Sequence, residues 1–139
     1  MTAPHQSLVG QTVGGYEILE LVGEGGMGAV YKARQLSLDR IVALKVLAPH
    51  LAGNEEFVAR FKREARSIAK VNHPNILQVH DVADAEHLHF IAMEFIEGTN
   101  LSAKLKEKGF LDWRGCSEYI RQAALGLASA AKAGVIHRD

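Results

Sequence analysis

With 139 residues the chain has the length of one modest domain, and a hydrophobic content of 47% is enough for a core. Lys+Arg and Asp+Glu both number 16, so the formal net charge is zero. That argues against a nucleic-acid binder working through a broad basic surface and leaves room for one phosphate-rich small molecule, which needs only local charge. Cys116 stands alone, which rules out an intrachain disulfide; it reads as a small core residue on a helix. No stretch approaches the ~20 apolar residues of a membrane helix. Met1–Ser7 has neither the basic start nor the apolar core of a signal peptide. The expected location is cytoplasmic, with a membrane anchor beyond Asp139 in a longer parent left open.

Met1 to about Val13 is polar and reads as a loose, flexible tail. Tyr16–Val22 and Ala29–Arg34 are apolar and β-branched runs around a glycine-rich turn, the pattern of a hairpin. Ile41–Leu47 is a third strand, apolar on both faces apart from Lys45 and closed by Pro49. Asn54 caps a helix with Glu55 and Glu56 in its first turn, where carboxylates suit the helix dipole. This helix is expected to reach about Val71, before Pro74. Ile76–Ala83 and Leu88–Phe95 complete five predicted strands. After Gly98 come a short helix over Leu101–Lys108 and a longer one opened by Asp112 and ended by Gly134. Cys116, Ile120, Ala123, Leu127 and Ala131 line one face of the longer helix. The expected organisation is a tail over residues 1–13, a main lobe over 14–97 and a second segment over 98–139.

Five features carry chemistry. In Gly23-Glu24-Gly25-Gly26-Met27-Gly28 the glycines sit at a hairpin tip, because Ala29-Val30-Tyr31 continues as strand. Gly23, Gly25 and Gly28 allow close approach of backbone to phosphates, whose oxygens backbone N–H groups can bind; alone, the motif is equally a flexible turn. Lys45 interrupts an apolar strand, and an unpaired buried ammonium is costly. On the following helix Phe57, Phe61, Glu64 and Ile68 follow one another at four, three and four residues, which puts Glu64 in the apolar stripe. Two misplaced charges of opposite sign are best explained by each other, so Lys45 and Glu64 are expected to pair. Finally, Met93–Gly98 is an extended segment whose backbone can pair with a purine edge, and the chain ends on His137-Arg138-Asp139.

In this order, and together with His73-Pro74-Asn75-Ile76, these residues resemble the amino-terminal half of a bacterial, Hanks-type serine/threonine protein kinase. The resemblance covers about Gly14 to Asp139. It implies an α+β fold: a five-stranded antiparallel sheet with one regulatory helix, then a hinge and the first helices of an incomplete carboxy-terminal lobe. It also implies that Val22, Gly23, Glu24, Gly25, Gly26, Met27, Gly28, Ala29 and Val30 form the ATP-covering loop, with Val22, Val30 and Ala43 against the adenine. Lys45 would hold the α- and β-phosphates, oriented by Glu64. Met93 would be the gatekeeper, the Glu94 carbonyl and Ile96 amide would meet the adenine edge, and Asn100 would lie near the ribose. Asp139 would be the catalytic base, with Arg138 facing an activation loop and His137 structural.

The implied function is transfer of the ATP γ-phosphoryl group to Ser/Thr hydroxyls of protein substrates, without nucleic-acid partners. The Asn and Asp that hold Mg²⁺ in the family are not among these residues, so no metal ligand is assigned and little transfer is expected from this stretch alone. The alternative is a non-catalytic nucleotide-binding or regulatory interaction module, half of a pseudokinase.

Overall fold

The computed structural model describes residues 8–136. They form two compact units. The first holds the chain up to Lys70 together with Gln78–Phe95; the second holds Val71–Leu77 and the chain from Ile96 onward. A short excursion after the main helix joins the second unit.

The first unit is built on an antiparallel sheet in the order β1-β2-β3-β4-β6-β5. Its strands are β1 (Thr12–Val13), β2 (Tyr16–Gly25), β3 (Gly28–Gln35), β4 (Arg40–Leu47), β5 (Val79–Ala85) and β6 (Leu88–Glu94). The sheet thus has six strands, not five. The sixth is the short β1, where the sequence suggested a loose tail: Thr12 and Val13 pair with Glu17 and Tyr16, and Val13 is buried. A two-residue strand carries too little periodicity to be legible in sequence.

Strand β4 lies between β3 and β6, so both of its edges are paired. Period-2 alternation then divides its side chains between two cores. Val42, Leu44 and Val46 join Tyr16, Ile18, Tyr31, Ala33, Phe90 and Ala92 on one face. Leu47, on the other face, packs with Val79, Ile91, Phe61 and Ala65. The last two belong to α2 (Glu55–Ala69), the expected helix. Its cap is also as expected, with the Asn54 side chain accepting from the amides of Glu56 and Phe57. One turn of helix, α1 (Pro49–Ala52), precedes it with Pro49 in its first turn, a position that suits a residue lacking an N–H.

Strands β5 and β6 are joined by Glu86 and His87, both with positive φ (51° and 67°). That is a type I′ hairpin turn built without glycine. The hairpin is tied to α2 by side chains: Lys62 Nζ lies 2.5 Å from Asp84 Oδ2, and His89 Nδ1 lies 2.6 Å from Asp84 Oδ1.

In the second unit, α3 (Leu101–Lys108) and α4 (Trp113–Lys132) begin at Asn100 and Asp112, whose side chains accept from Ala103 N and Gly115 N. The covered side of α4 runs through Tyr119, Gln122 and Gly126 rather than through the predicted apolar stripe; Ile120 and Leu127 stay open. Gly126 is buried because the Asn75–Ile76 backbone crosses it: a Cβ there would lie 3.0 Å from the Asn75 carbonyl oxygen. Among the described residues, no helix is long and apolar enough to cross a membrane.

The hydrogen bond from Lys62, then that from His89, holds the Asp84 carboxyl below its ordinary range. A depressed folded-state pKa contributes stability above the unfolded pKa and loses it as pH falls through the folded one. Asp84 is half exposed, so the contribution is screened. Asp84→Asn is expected to cost less than about 1 kcal/mol at neutral pH. In urea titrations the gap between the two proteins should close as pH falls below the ordinary carboxylate range; a gap that widens on acidification would contradict this.

Candidate functional site

The register of the sheet brings the predicted residues together. Val30 of β3 lies opposite Lys45 of β4, and Ala43 of β4 lies opposite Met93 of β6. Directly opposed residues project to the same side of an antiparallel pair, and Ala43 and Lys45 are two apart on one strand. Val30, Ala43, Lys45 and Met93 therefore share one face of three adjacent strands. It is the face that α2 covers at Leu47, Val79 and Ile91. The same face carries the small Ala43 and the half-buried Lys45. Lys32, on the same face, lies 3.8 Å from Glu20 and has its ammonium 5.1 Å from the centre of the Phe95 ring.

The glycine-rich segment is a tight hairpin with Gly25 opposite Gly28 and Gly26-Met27 at the tip. Its glycines have different reasons to be there. Gly28 has φ +144°, and a Cβ on it would lie 2.0 Å from the Val46 carbonyl oxygen. The adjacent Met27 carbonyl accepts a hydrogen bond from the Ala48 amide at 3.0 Å. The turn is thus pinned to the end of β4, and only glycine fits at the pin. Added Cβ atoms at Gly23, Gly25 and Gly26 would meet nothing within 4 Å, so the described chain leaves open space there.

Register shifts fall between Ile18 and Glu20 and between Leu21 and Gly23, which leave Leu19 and Val22 as bulged residues. The second bulge turns Val22 out of the ladder, where it is 54% exposed. Glu24 and Met27 are exposed at the same end, while Ala29 and Tyr31 are buried beneath the sheet. Burial, and secondarily the charge of Glu24, pushes the Tyr31 hydroxyl above its usual pKa, so the ring stays neutral.

One expectation changes. Glu64 is exposed, and among the described residues no ion pair joins it to Lys45. The buried residues of α2 are Phe61 and Ala65. At 100° per residue they put the centre of the covered face about 80° from Glu64, which therefore sits at the margin of the stripe. The Asn100 side chain caps α3, accepting from the Ala103 amide at 2.8 Å.

The Glu94 amide donates to the Gln78 carbonyl at 2.8 Å, and its carboxylate accepts from the Gln78 amide at 3.3 Å. Ile96, in the second unit, is 60% exposed. Among the described residues its amide donates to no backbone carbonyl. His137, Arg138 and Asp139, the expected catalytic segment, lie outside the described residues. Among the described residues no cluster of His, Cys, Asp or Glu is suited to holding a metal ion. Sequence reasoning did not find the Lys62–Asp84–His89 chain; its members come from three elements, and no local spacing announces it.

Residues 16–139 match the protein kinase domain family. The chain belongs to this family. The chain is 45% identical over 133 residues to the serine/threonine-protein kinase pkn3 of Myxococcus xanthus, covering 94% of this chain and 24% of that protein. It is 36% identical over 133 residues to the serine/threonine-protein kinase PrkC of Bacillus subtilis, covering 95% and 20%. Among solved structures it superposes on the Mycobacterium tuberculosis PknI kinase domain with a TM-score of 0.82 at 32% identity, covering 94% of this chain and 53% of that one. The chain thus spans about a fifth to a quarter of the curated relatives it matches and about half of the solved kinase domain.

Gly28→Ala is expected to destabilise the chain by about 2–3 kcal/mol, through backbone strain and the collision with Val46. Gly25→Ala should stay within about 0.5 kcal/mol of the parent. Urea midpoints of the two variants measure the contrast, and equal shifts would refute it. Glu64→Gln, at an exposed position without an ion pair to Lys45, is likewise expected to change stability by less than about 0.5 kcal/mol.

Proposed function

We propose that this chain is the nucleotide-binding part of a serine/threonine protein kinase that transfers the ATP γ-phosphoryl group to protein hydroxyls. The observation that carries this is the shared face of Val30, Ala43, Lys45 and Met93, set beside a hairpin whose Gly23, Gly25 and Gly26 have open space where side chains would be. In this reading Val22, Val30 and the small Ala43 pack against the flat adenine, with Met93 behind it. The Glu94 carbonyl and the Ile96 amide bond the adenine edge. Backbone amides of the hairpin from Gly23 to Gly28, with Glu24 and Ala29 in it, cradle phosphate oxygens.

Lys45 supplies the fixed cation. Among the described residues it has no ion-pair partner, so its ammonium is available to the α- and β-phosphates. Pairing of Lys45 with Glu64 then requires α2 to present Glu64 toward β4, a positional change of the kind that controls kinases. Asp139 accepts or steers the proton of the substrate hydroxyl. Mg²⁺ neutralises charge on the transferring phosphoryl group when bound, and its family ligands, an Asn and an Asp beyond this motif, are not among these residues. A role on ATP and protein substrates supports a cytoplasmic location.

A fluorescent ATP analogue is expected to bind the chain, and Lys45→Met should weaken binding about tenfold, the loss of one charge-assisted contact. In the full-length protein, Lys45→Met and Asp139→Asn should each lower transfer to a protein substrate by about a thousandfold or more, because phosphoryl transfer rests on positioning and charge stabilisation. Near-normal turnover in either variant would overturn the assignment. The second reading, a non-catalytic regulatory module, draws on the separation of Glu64 from Lys45. Nucleotide binding with no transfer by the full-length parent protein would favour it.

A further inference from the structure

On the flank of α2 away from Glu64 lies a groove of about 640 Å³ that the nucleotide reading does not use. Ala52, Val58 and Ala59 form its apolar part, and Arg63, Arg66 and Lys70 its cationic part. The helical repeat explains the shape. At 100° per residue Ala59, Arg63, Arg66 and Lys70 fall within about 60° of one another, on a stripe roughly opposite Glu64. The small Ala59 makes the depression within this stripe.

Across the groove stands His89 of β6. Its Nδ1 and the Lys62 ammonium are already engaged by Asp84, so neither is a free donor. The Ser67 hydroxyl is spent on the Arg63 carbonyl at 2.9 Å. Among the described residues Arg63, Arg66 and Lys70 have no ion-pair partner. Glu55 is the one acidic side chain in the lining. In a chain of zero formal net charge, this is a local concentration of uncompensated cations.

We propose that this groove docks an acidic segment of a partner protein through a phosphorylated serine or threonine. Two guanidinium groups one helical turn apart suit the geometry of a phosphate, which bears nearly two charges at neutral pH and accepts paired hydrogen bonds from arginine. Lys70 adds a point charge. Ala52, Val58 and Ala59 offer apolar contact to the residues flanking the phosphate. The concave shape and the absence of a net positive charge favour a peptide over a lipid surface, which is flat and attracts broad basic faces.

The test uses the whole chain and fluorescence anisotropy with three probes: a short labelled peptide with one phosphoserine between glutamates, its unphosphorylated form, and labelled anionic phosphatidylserine vesicles. The phosphopeptide should bind at least about tenfold more tightly than the unphosphorylated form. Arg63→Gln combined with Arg66→Gln should lose about tenfold or more of that affinity. Arg63→Lys with Arg66→Lys should retain part of it, and Lys132→Gln, outside the groove, all of it. Circular dichroism melts establish that the variants fold.

Equal binding of the two peptides would overturn the proposal. So would binding unchanged by the Arg→Gln pair; with a lowered melting temperature, that result would assign these cations to stabilising the carboxy-terminal end of α2. Preference for vesicles over the phosphopeptide would make the groove a membrane contact instead. Because nucleotide binding is measured separately on Lys45→Met, failure here leaves the reading of the sheet face standing.

Discussion

Strand β4 must satisfy two cores at once, and most of the first unit follows from how it does so. It is paired on both edges, by β3 and by β6, and its alternate side chains enter opposite faces of the sheet. Val42, Leu44 and Val46 supply one face with branched side chains that pack without polar atoms. The other face is divided along its length. Leu47 lies under α2, whereas Ala43 and Lys45 belong to the part that carries the candidate site. A lysine is tolerated in so apolar a strand because it is only half buried, so its apolar stem can pack while the ammonium stays accessible.

The glycine-rich hairpin depends on the same strand. Gly28 has no room for a side chain because β4 passes beneath it at Val46, and Ala48 donates to the Met27 carbonyl just beyond the end of β4. One root of the hairpin is therefore held firmly, while Gly23, Gly25 and Gly26 face open space. A turn fixed at one end and unencumbered along its outer run is a backbone surface that a ligand can approach closely. Its glycines look interchangeable in sequence, yet one answers to the protein's own packing and the others do not.

Helix α2 presents three different surfaces to three different surroundings. Phe61 and Ala65 enter the core, Glu64 stands at one margin, and the Arg63–Arg66–Lys70 stripe lies on the far flank. The Lys62–Asp84 contact, with His89 on the other carboxylate oxygen, ties the same helix to the β5–β6 hairpin. Capping by Asn54 and the apolar contacts of Phe61 hold it in place as a helix.

Much of this was legible in the residues themselves, because the relevant signals are short-ranged. The apolar run of Ile41–Leu47, the caps at Asn54 and Asp112 and the glycine punctuation each act within one turn of chain, and each marks an element that is present. The order of glycine hairpin, strand lysine and helix glutamate was enough to point to the family. What the residues could not determine depends on distant partners. Two-residue β1 exists because Val13 reaches a core assembled from β2, β4 and β6. The Leu19 and Val22 bulges arise from the pairing of β2 with β3. Glu64 looked central because helical periodicity locates a stripe only to within about one residue's rotation, and it was the packing of Phe61 and Ala65 on β4, β5 and β6 that set the rotation. The basic groove was equally silent in sequence, since its second wall comes from His89, on a strand that the sheet brings beside the helix. Local chemistry is written in neighbouring residues; which charges end up exposed, paired or gathered is decided only when strands far apart in the chain are laid side by side.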